Sequence, residues 1–391
     1  MEVFRLDPAE VTRCLEAARA TPAAERERVI ERARTALPLD VDEMAILWTA
    51  PLDADEVYAI ALEARSRRPR RLETFSPLYL TNTCDAECLM CGMRRDNDAL
   101  RRETADPEAT ESQLDLLQRR GMHGVALLTG EYRTDRRAWM LERVNRALRA
   151  TQARGFRHVL VNVGSLDDEE YPALLDGVAR RPDGAVAAKV TMCTFQETYS
   201  RSHYARFMGS DADNPRADYE RRLTNFDRAR AAGFRVANPG ILVGLNPDLG
   251  FELIALARHA RHLLDRGMEV YLSVPRLRQI AGRSSVRGTD DPSFLRLVSI
   301  LSVGLPGAKV VLTTREPATI QRRLVPLVHV LSAGSSALAP YTAEGAHFPL
   351  EASQFEVIDQ RPFEQVLADH ARPEEPIENF ERTPRITPPA P

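Results

Sequence analysis

The stretch that decides the fold is Thr74-Phe-Ser-Pro-Leu-Tyr-Leu-Thr81 followed by Asn82-Thr-Cys84-Asp-Ala-Glu-Cys88-Leu-Met-Cys91. Its first half is short, aromatic and apolar, which predicts a buried strand over 74–81. Its second half places three cysteines in a C-x₃-C-x₂-C spacing. A chemical loop hung directly on a strand end is the arrangement of an α/β barrel, where function gathers at the C-terminal rim.

Seven further strand-like runs follow, over 123–129, 157–163, 187–194, 234–241, 269–274, 308–314 and 327–332. Amphipathic stretches separate them. In 136–154, Met140, Leu141, Val144, Ala147 and Leu148 share one helical face, and Gly155 suits a C-terminal cap. Strand–helix alternation implies a parallel sheet, and eight units imply a closed (β/α)₈ TIM-type barrel of about 250 residues. A doubly wound sheet shares the pattern. Upstream, 7–66 reads as short helices separated by Pro22, Pro38 and Pro51, and the Arg/Pro run Arg65–Arg71 reads as a solvated linker. After Pro373 the chain is rich in proline and charge (Pro376, Pro384, Pro388, Pro389, Pro391), the composition of a flexible tail. The expected division is an N-terminal helical extension over 1–72, a barrel over 73–371 and a flexible C-terminal tail over 372–391.

Of the 391 residues 28% are charged and 43% hydrophobic, ordinary for a soluble enzyme. The net charge of −3 argues against nucleic acid as a partner. No apolar run approaches the roughly 20 residues of a membrane span, and Met1–Pro22 lacks the apolar core of a signal peptide. No membrane association and a cytoplasmic location are expected. Only Lys189 and Lys309 are lysines, a bias ascribed to an arginine-preferring genome.

Five cysteines, an odd number with three clustered, point to metal ligation and not to disulfides. Three thiolates can hold three irons of a cluster and leave the fourth open to a chelating small molecule. Structural zinc is the alternative. It normally takes four protein ligands, and the next histidine is only His123. Cys193, inside the fourth strand, and Cys14 read as buried small hydrophobes. Trp48 and Trp139 read as packing residues.

The triad at a strand end resembles the defining motif of the radical S-adenosylmethionine (SAM) superfamily. That resemblance implies a [4Fe–4S] cluster on Cys84, Cys88 and Cys91, with SAM on its open iron. Thr129-Gly130-Glu131, ending the second strand, resembles the "GGE" motif whose backbone meets the SAM amino group. Asn162 and Ser165 end the third strand, and Gln196-Glu197-Thr-Tyr199 follows the fourth. These polar groups either contact SAM or cap helices.

Further stretches resemble the radical SAM aromatic-amino-acid lyases: Phe195-Gln-Glu-Thr-Tyr199, Phe207-Met-Gly209, Asn238-Pro-Gly240, Ser273-Val-Pro-Arg-Leu-Arg278 and Leu312-Thr-Thr-Arg-Glu-Pro317. That family includes tyrosine lyases and, resembling this chain most, the tryptophan lyases that make 3-methyl-2-indolic acid for thiopeptide antibiotics. The resemblance implies hydrogen abstraction from the substrate's amino nitrogen by a 5′-deoxyadenosyl radical. The Cα–carboxyl bond then breaks and the carboxyl fragment migrates to indole C2. It further implies Arg315 as the carboxylate anchor, the alternative being an ion pair with Glu316. Tyr79 would stand beside the amine and Ser332 would contact substrate, each with a purely structural role as the alternative. Arg276 and Arg278 would face SAM or the barrel rim. An electron donor such as flavodoxin or ferredoxin is the implied partner.

Three competing functions are a lyase of the same family acting on tyrosine or a modified tryptophan, a non-catalytic cluster-binding protein on the same fold, and a zinc-stabilised interaction module. The absence of cysteines after Cys193 excludes a second cluster of the kind carried by the hydrogenase-assembly tyrosine lyase.

Overall fold

The computed structural model describes residues 3–69, 71–178, 188–282, 288–336, 349–372 and 374–381. Eight parallel strands close into a barrel: β1 (Leu72–Tyr79), β2 (Gly124–Leu128), β3 (His158–Asn162), β4 (Lys189–Cys193), β5 (Val236–Asn238), β6 (Glu269–Ser273), β7 (Ala308–Thr313) and β8 (Val330–Ser332). Each strand pairs with the next, and β1 pairs with both β2 and β8. The register sets Tyr79 beside Leu128, Leu128 beside Asn162, Cys193 beside Asn238 and Thr313 beside Ser332, so the strand ends share one rim. The first strand starts two residues before its expected position and the others lie within theirs. Residue 187 of the expected fourth strand lies outside the described residues.

Side chains pointing inward make one apolar layer: Phe75, Ala126, Leu160, Cys193, Val236, Tyr271, Val311 and Val330. Outward-facing residues join a larger core beneath the helices. At the N-terminal end the barrel is plugged by charge. Glu73 accepts from the Tyr271 hydroxyl at 2.6 Å and pairs with Lys309; Glu269 pairs with Lys189 at 2.5 Å and Lys309 at 2.9 Å. Both lysines of the chain therefore sit here. A compact ammonium fits between strands where a planar guanidinium would need more width. Genome bias explains why lysines are few, and the plug explains where the two remain.

The N-terminal helices Pro8–Arg19, Ala23–Arg34, Val41–Thr49 and Ala54–Ser66 form where expected. Asp40 and Asp53 each make reciprocal capping boxes, with Glu43 and Glu56. These helices pack against the barrel helices Leu249–Asp265 and Asp291–Gly304. Gly304 lets Met44 approach, since a Cβ there would meet its sulfur at 2.5 Å. Arg296 donates to the carbonyls of Leu47, Trp48 and Ala50 and so closes the end of the third helix.

Two sequence expectations are corrected. Arg65, assigned to a solvated linker, is buried and donates to the carbonyls of Arg68 and Pro69. The tail, expected to be flexible from 372, is ordered over 374–381: Ile377–Glu378 forms β9, parallel to Leu72–Glu73 of β1. The reason is geometric. β2 pairs with β1 only from Ser76 onward, so the first residues of β1 expose an open edge that β9 covers. Pro373 and the prolines from Pro384 on lie outside the described residues. No described helix is long and apolar enough to cross a membrane.

Candidate active site

The C-terminal rim opens into a cavity lined by residues from all eight strand ends. Its roof is a strap over 350–359. The strap is tied down where Gly92 donates to the Gln354 carbonyl (2.8 Å), Glu356 to that of Gln279 (2.8 Å) and Asp359 to that of Thr314 (3.0 Å).

Cys84, Cys88 and Cys91 all line this cavity as free thiols. Among the described residues, no three His, Cys, Asp or Glu side chains converge on a single ion. A cubane asks for no such convergence, because each thiolate binds a different corner iron. The donor set fits a cluster. The backbone N–H groups of Glu131 (3.3 Å) and Ala86 (3.4 Å) point at Cys84 Sγ, the polarity a bound thiolate wants. Gly130 lies flat against this loop, and a Cβ there would collide with Cys84 Cα and Cβ at 2.7 Å. Burial pushes the thiols of Cys84 and Cys88 up to about 12 and that of Cys91 to about 11, so metal must displace protons to bind.

Of the expected SAM-facing residues, Thr129, Gly130, Glu131, Asn162 and Glu197 line the cavity. The Glu131 carboxylate is held by Arg222 (2.8 Å), Arg216 (3.2 Å) and the Ser165 N–H (3.0 Å). Gly164, at φ +84°, leaves room for it. Glu197 pairs with Arg216 at 2.9 Å. Ser165 thus reaches the site through Glu131 and does not line it.

Three assignments are corrected by geometry. Side chains alternate beyond β4, so Phe195 and Glu197 face the cavity while Gln196 turns into the protein, outside the lining. Tyr199 packs behind the barrel, its hydroxyl 2.8 Å from His259 Nδ1. Its backbone N–H and the Thr198 hydroxyl both bond Glu252, which fastens the segment to the helix Leu249–Asp265. Arg276 is consumed by Glu316 and Asp291 (2.6 Å), whereas Arg278 lines the cavity and reaches Glu316 at 3.0 Å.

The three substrate candidates, Tyr79, Arg315 and Ser332, also line the cavity. Tyr79 donates to Gln354 Oε1 at 2.9 Å. Arg315 is half-buried and lies over the Phe355 ring. No carboxylate among the described side chains forms an ion pair with it, because Glu316 is already taken by Arg276 and Arg278. Burial lowers its guanidinium to about 10, still charged at neutral pH. Sequence reasoning missed Arg216, Arg222, Gln354 and Phe355, and named Asn238 and Ser273 only within stretches of family resemblance, without a role. In so arginine-rich a chain the two arginines carry no local signal, and Gln354 and Phe355 arrive on the strap from far along the chain.

No family model matches the chain. It is similar to 2-iminoacetate synthase of Salmonella typhimurium, 26% identical over 309 residues and covering 76% of each chain. It is also similar to 2-iminoacetate synthase of Escherichia coli, 27% identical over 350 residues, covering 87% of this chain and 86% of the relative. Among solved structures it resembles the FeFe-hydrogenase maturase HydG of Carboxydothermus hydrogenoformans. The TM-score is 0.78 at 25% identity, covering 92% of this chain and 81% of that one. The barrel and the cysteine loop are thus similar to those of radical SAM lyases, and the cavity is furnished for a [4Fe–4S] cluster with SAM.

Proposed function

We propose that the protein is a carbon–carbon lyase that converts L-tryptophan to 3-methyl-2-indolic acid. The observation that carries an amino-acid substrate is Arg315, a half-buried cation facing the cavity with its carboxylate partner missing among the described side chains. A free amino acid supplies that partner, and the guanidinium offers it two parallel donors. Ser332, on the neighbouring strand end, adds a hydroxyl. Tyr79, held by Gln354, lies five residues before Cys84 and sets the amine side. When bound, the cluster and SAM supply a 5′-deoxyadenosyl radical. The chain's task is to present one N–H to it and to keep water out, which the strap and the buried walls serve. Glu131, braced by Arg216 and Arg222, shapes the SAM-facing wall. The electron donor is a protein such as flavodoxin or ferredoxin.

The likeness to 2-iminoacetate synthases favours a second reading, in which the same site takes tyrosine. The deciding experiment is an anaerobic assay with SAM, reductant and either tryptophan or tyrosine, products being identified by mass spectrometry. 3-Methyl-2-indolic acid from tryptophan is expected. Turnover of tyrosine alone would establish the second reading, and no SAM cleavage with either amino acid would sink both.

A further inference from the structure

The cavity floor is apolar except for one polar patch. Asn238 and Cys193 are register partners on β5 and β4, and Ser273 ends β6; all three line the cavity and are buried. Ser273 ends the strand next to β7 and pairs with Val311, while Arg315 and Ser332 follow β7 and end β8. The Asn238 amide orientation is set by its surroundings. Nδ2 is 3.2 Å from the Tyr271 carbonyl and 3.3 Å from that of Pro239, and a carbonyl only accepts. Oδ1 is therefore the face turned to Cys193, whose thiol donates to it at 3.2 Å. The Ser273 hydroxyl lies 3.0 Å from Nδ2 and 3.2 Å from Oδ1 and steadies the amide. A thiol is a weak donor. Of the two donors on Oδ1, the Ser273 hydroxyl and the Cys193 thiol, the thiol is the one that a stronger donor can displace.

We infer that Asn238 is a specificity-determining residue whose Oδ1 accepts the ring N–H of an indole substrate, displacing the Cys193 thiol. The inference rests on the proposed tryptophan reading and deepens it. With the carboxylate on Arg315, the side chain lies in a cavity walled by Phe75, Ala126, Leu160 and Val311. Of the side-chain amides on the described lining, Asn162, Asn238 and Gln354, Asn238 is the one whose oxygen is held by a thiol. A site built to bond a ring N–H rejects an isostere lacking it, because the buried acceptor is left with its weaker partner.

The test compares tryptophan with β-(3-benzothienyl)alanine, in which sulfur replaces the ring N–H in a bicycle of the same number of ring atoms. Binding to the SAM-loaded holoenzyme and 5′-deoxyadenosine release are both measured. Wild type should prefer tryptophan at least tenfold in kcat/KM. Asn238→Leu, of similar volume, should abolish that preference, mainly through a higher KM for tryptophan. Cys193→Ala removes the competing donor and should lower that KM, whereas Cys193→Ser supplies a stronger competitor and should raise it. Ser273→Ala should shift KM the same way as Asn238→Leu but less. Iron content and SAM binding identify any variant that has not folded, and the two Cys193 variants carry the test if Asn238→Leu is lost. Equal use of the two amino acids by wild type, or a preference unchanged in Asn238→Leu, overturns the inference and leaves tryptophan lysis standing. Turnover of tyrosine without tryptophan overturns both.

Discussion

Replacing Arg315 separates anchoring from folding. The structure gives its guanidinium no carboxylate partner among the described side chains, and burial lowers it to about 10. Holding that charge is therefore a cost to the substrate-free protein, recovered only when a carboxylate enters. Two opposite effects follow. Arg315→Lys keeps the charge but loses the fork. A charge-assisted hydrogen bond contributes about 1.5–3 kcal/mol, so KM for the amino acid should rise about ten- to a hundredfold; Arg315→Ala should fare worse. Arg315→Met fills the space without the charge, and its melting temperature should equal or exceed that of wild type. Initial rates of 5′-deoxyadenosine release across amino-acid concentrations give the first quantity, and thermal unfolding of the substrate-free protein the second. SAM binding and iron content should be unaffected, since the residue touches neither the cysteine loop nor the Glu131 wall. A wild-type KM in Arg315→Ala, or a melting temperature many degrees lower in Arg315→Met, would refute the anchor argument. The second result would mean that the side chain holds structure.

Single replacement of Cys84, Cys88 or Cys91 by alanine should abolish SAM cleavage and reduce iron after anaerobic reconstitution. Cys14→Ala, on the outer helices with its thiol 3.1 Å from Asp42, should do neither; activity surviving in Cys88→Ala would remove the cluster assignment. Gly130→Ala should lose cluster loading as completely as a cysteine variant, because its methyl would occupy the place of Cys84, and normal iron content would show that the loop yields easily. His259, buried and stacked on Phe4 at 4.3 Å, is held down at about 3 against about 6.5 when unfolded. The unfolded chain binds the proton first as pH falls through 6.5, so folding weakens by about 2 kcal/mol between pH 7 and pH 5. His259→Gln should remove that portion of the pH dependence in denaturant titrations, and an unchanged slope would place the acid sensitivity elsewhere.

The barrel and the cysteine loop were legible because both are local patterns. Strand–helix alternation repeats eight times, and three cysteines within eight residues need no tertiary contact to be noticed. The errors arose where a specific contact outweighed the compositional pattern. Arg65 looked solvated, but the carbonyls of Arg68 and Pro69 in the turn after its own helix claim it. The tail looked flexible although the open edge of Leu72–Glu73 had a use for Ile377–Glu378. Arg276 and Arg278 were indistinguishable as letters. Closure of the barrel puts Glu316 and Asp291 around the first and leaves the second on the cavity wall.

By itself, then, the sequence determined a parallel eight-unit barrel, a cysteine triad on its first loop and the strand ends at which chemistry collects. Periodicity and spacing are properties of consecutive residues. Only the tertiary structure decided that Arg216 and Arg222 brace Glu131, that Gln196 and Tyr199 face away, that Arg315 has no carboxylate partner among the described residues and that Asn238 turns its oxygen to Cys193. Each of these depends on which side chains from separate strands meet once the ring closes, and on which charges find partners there first.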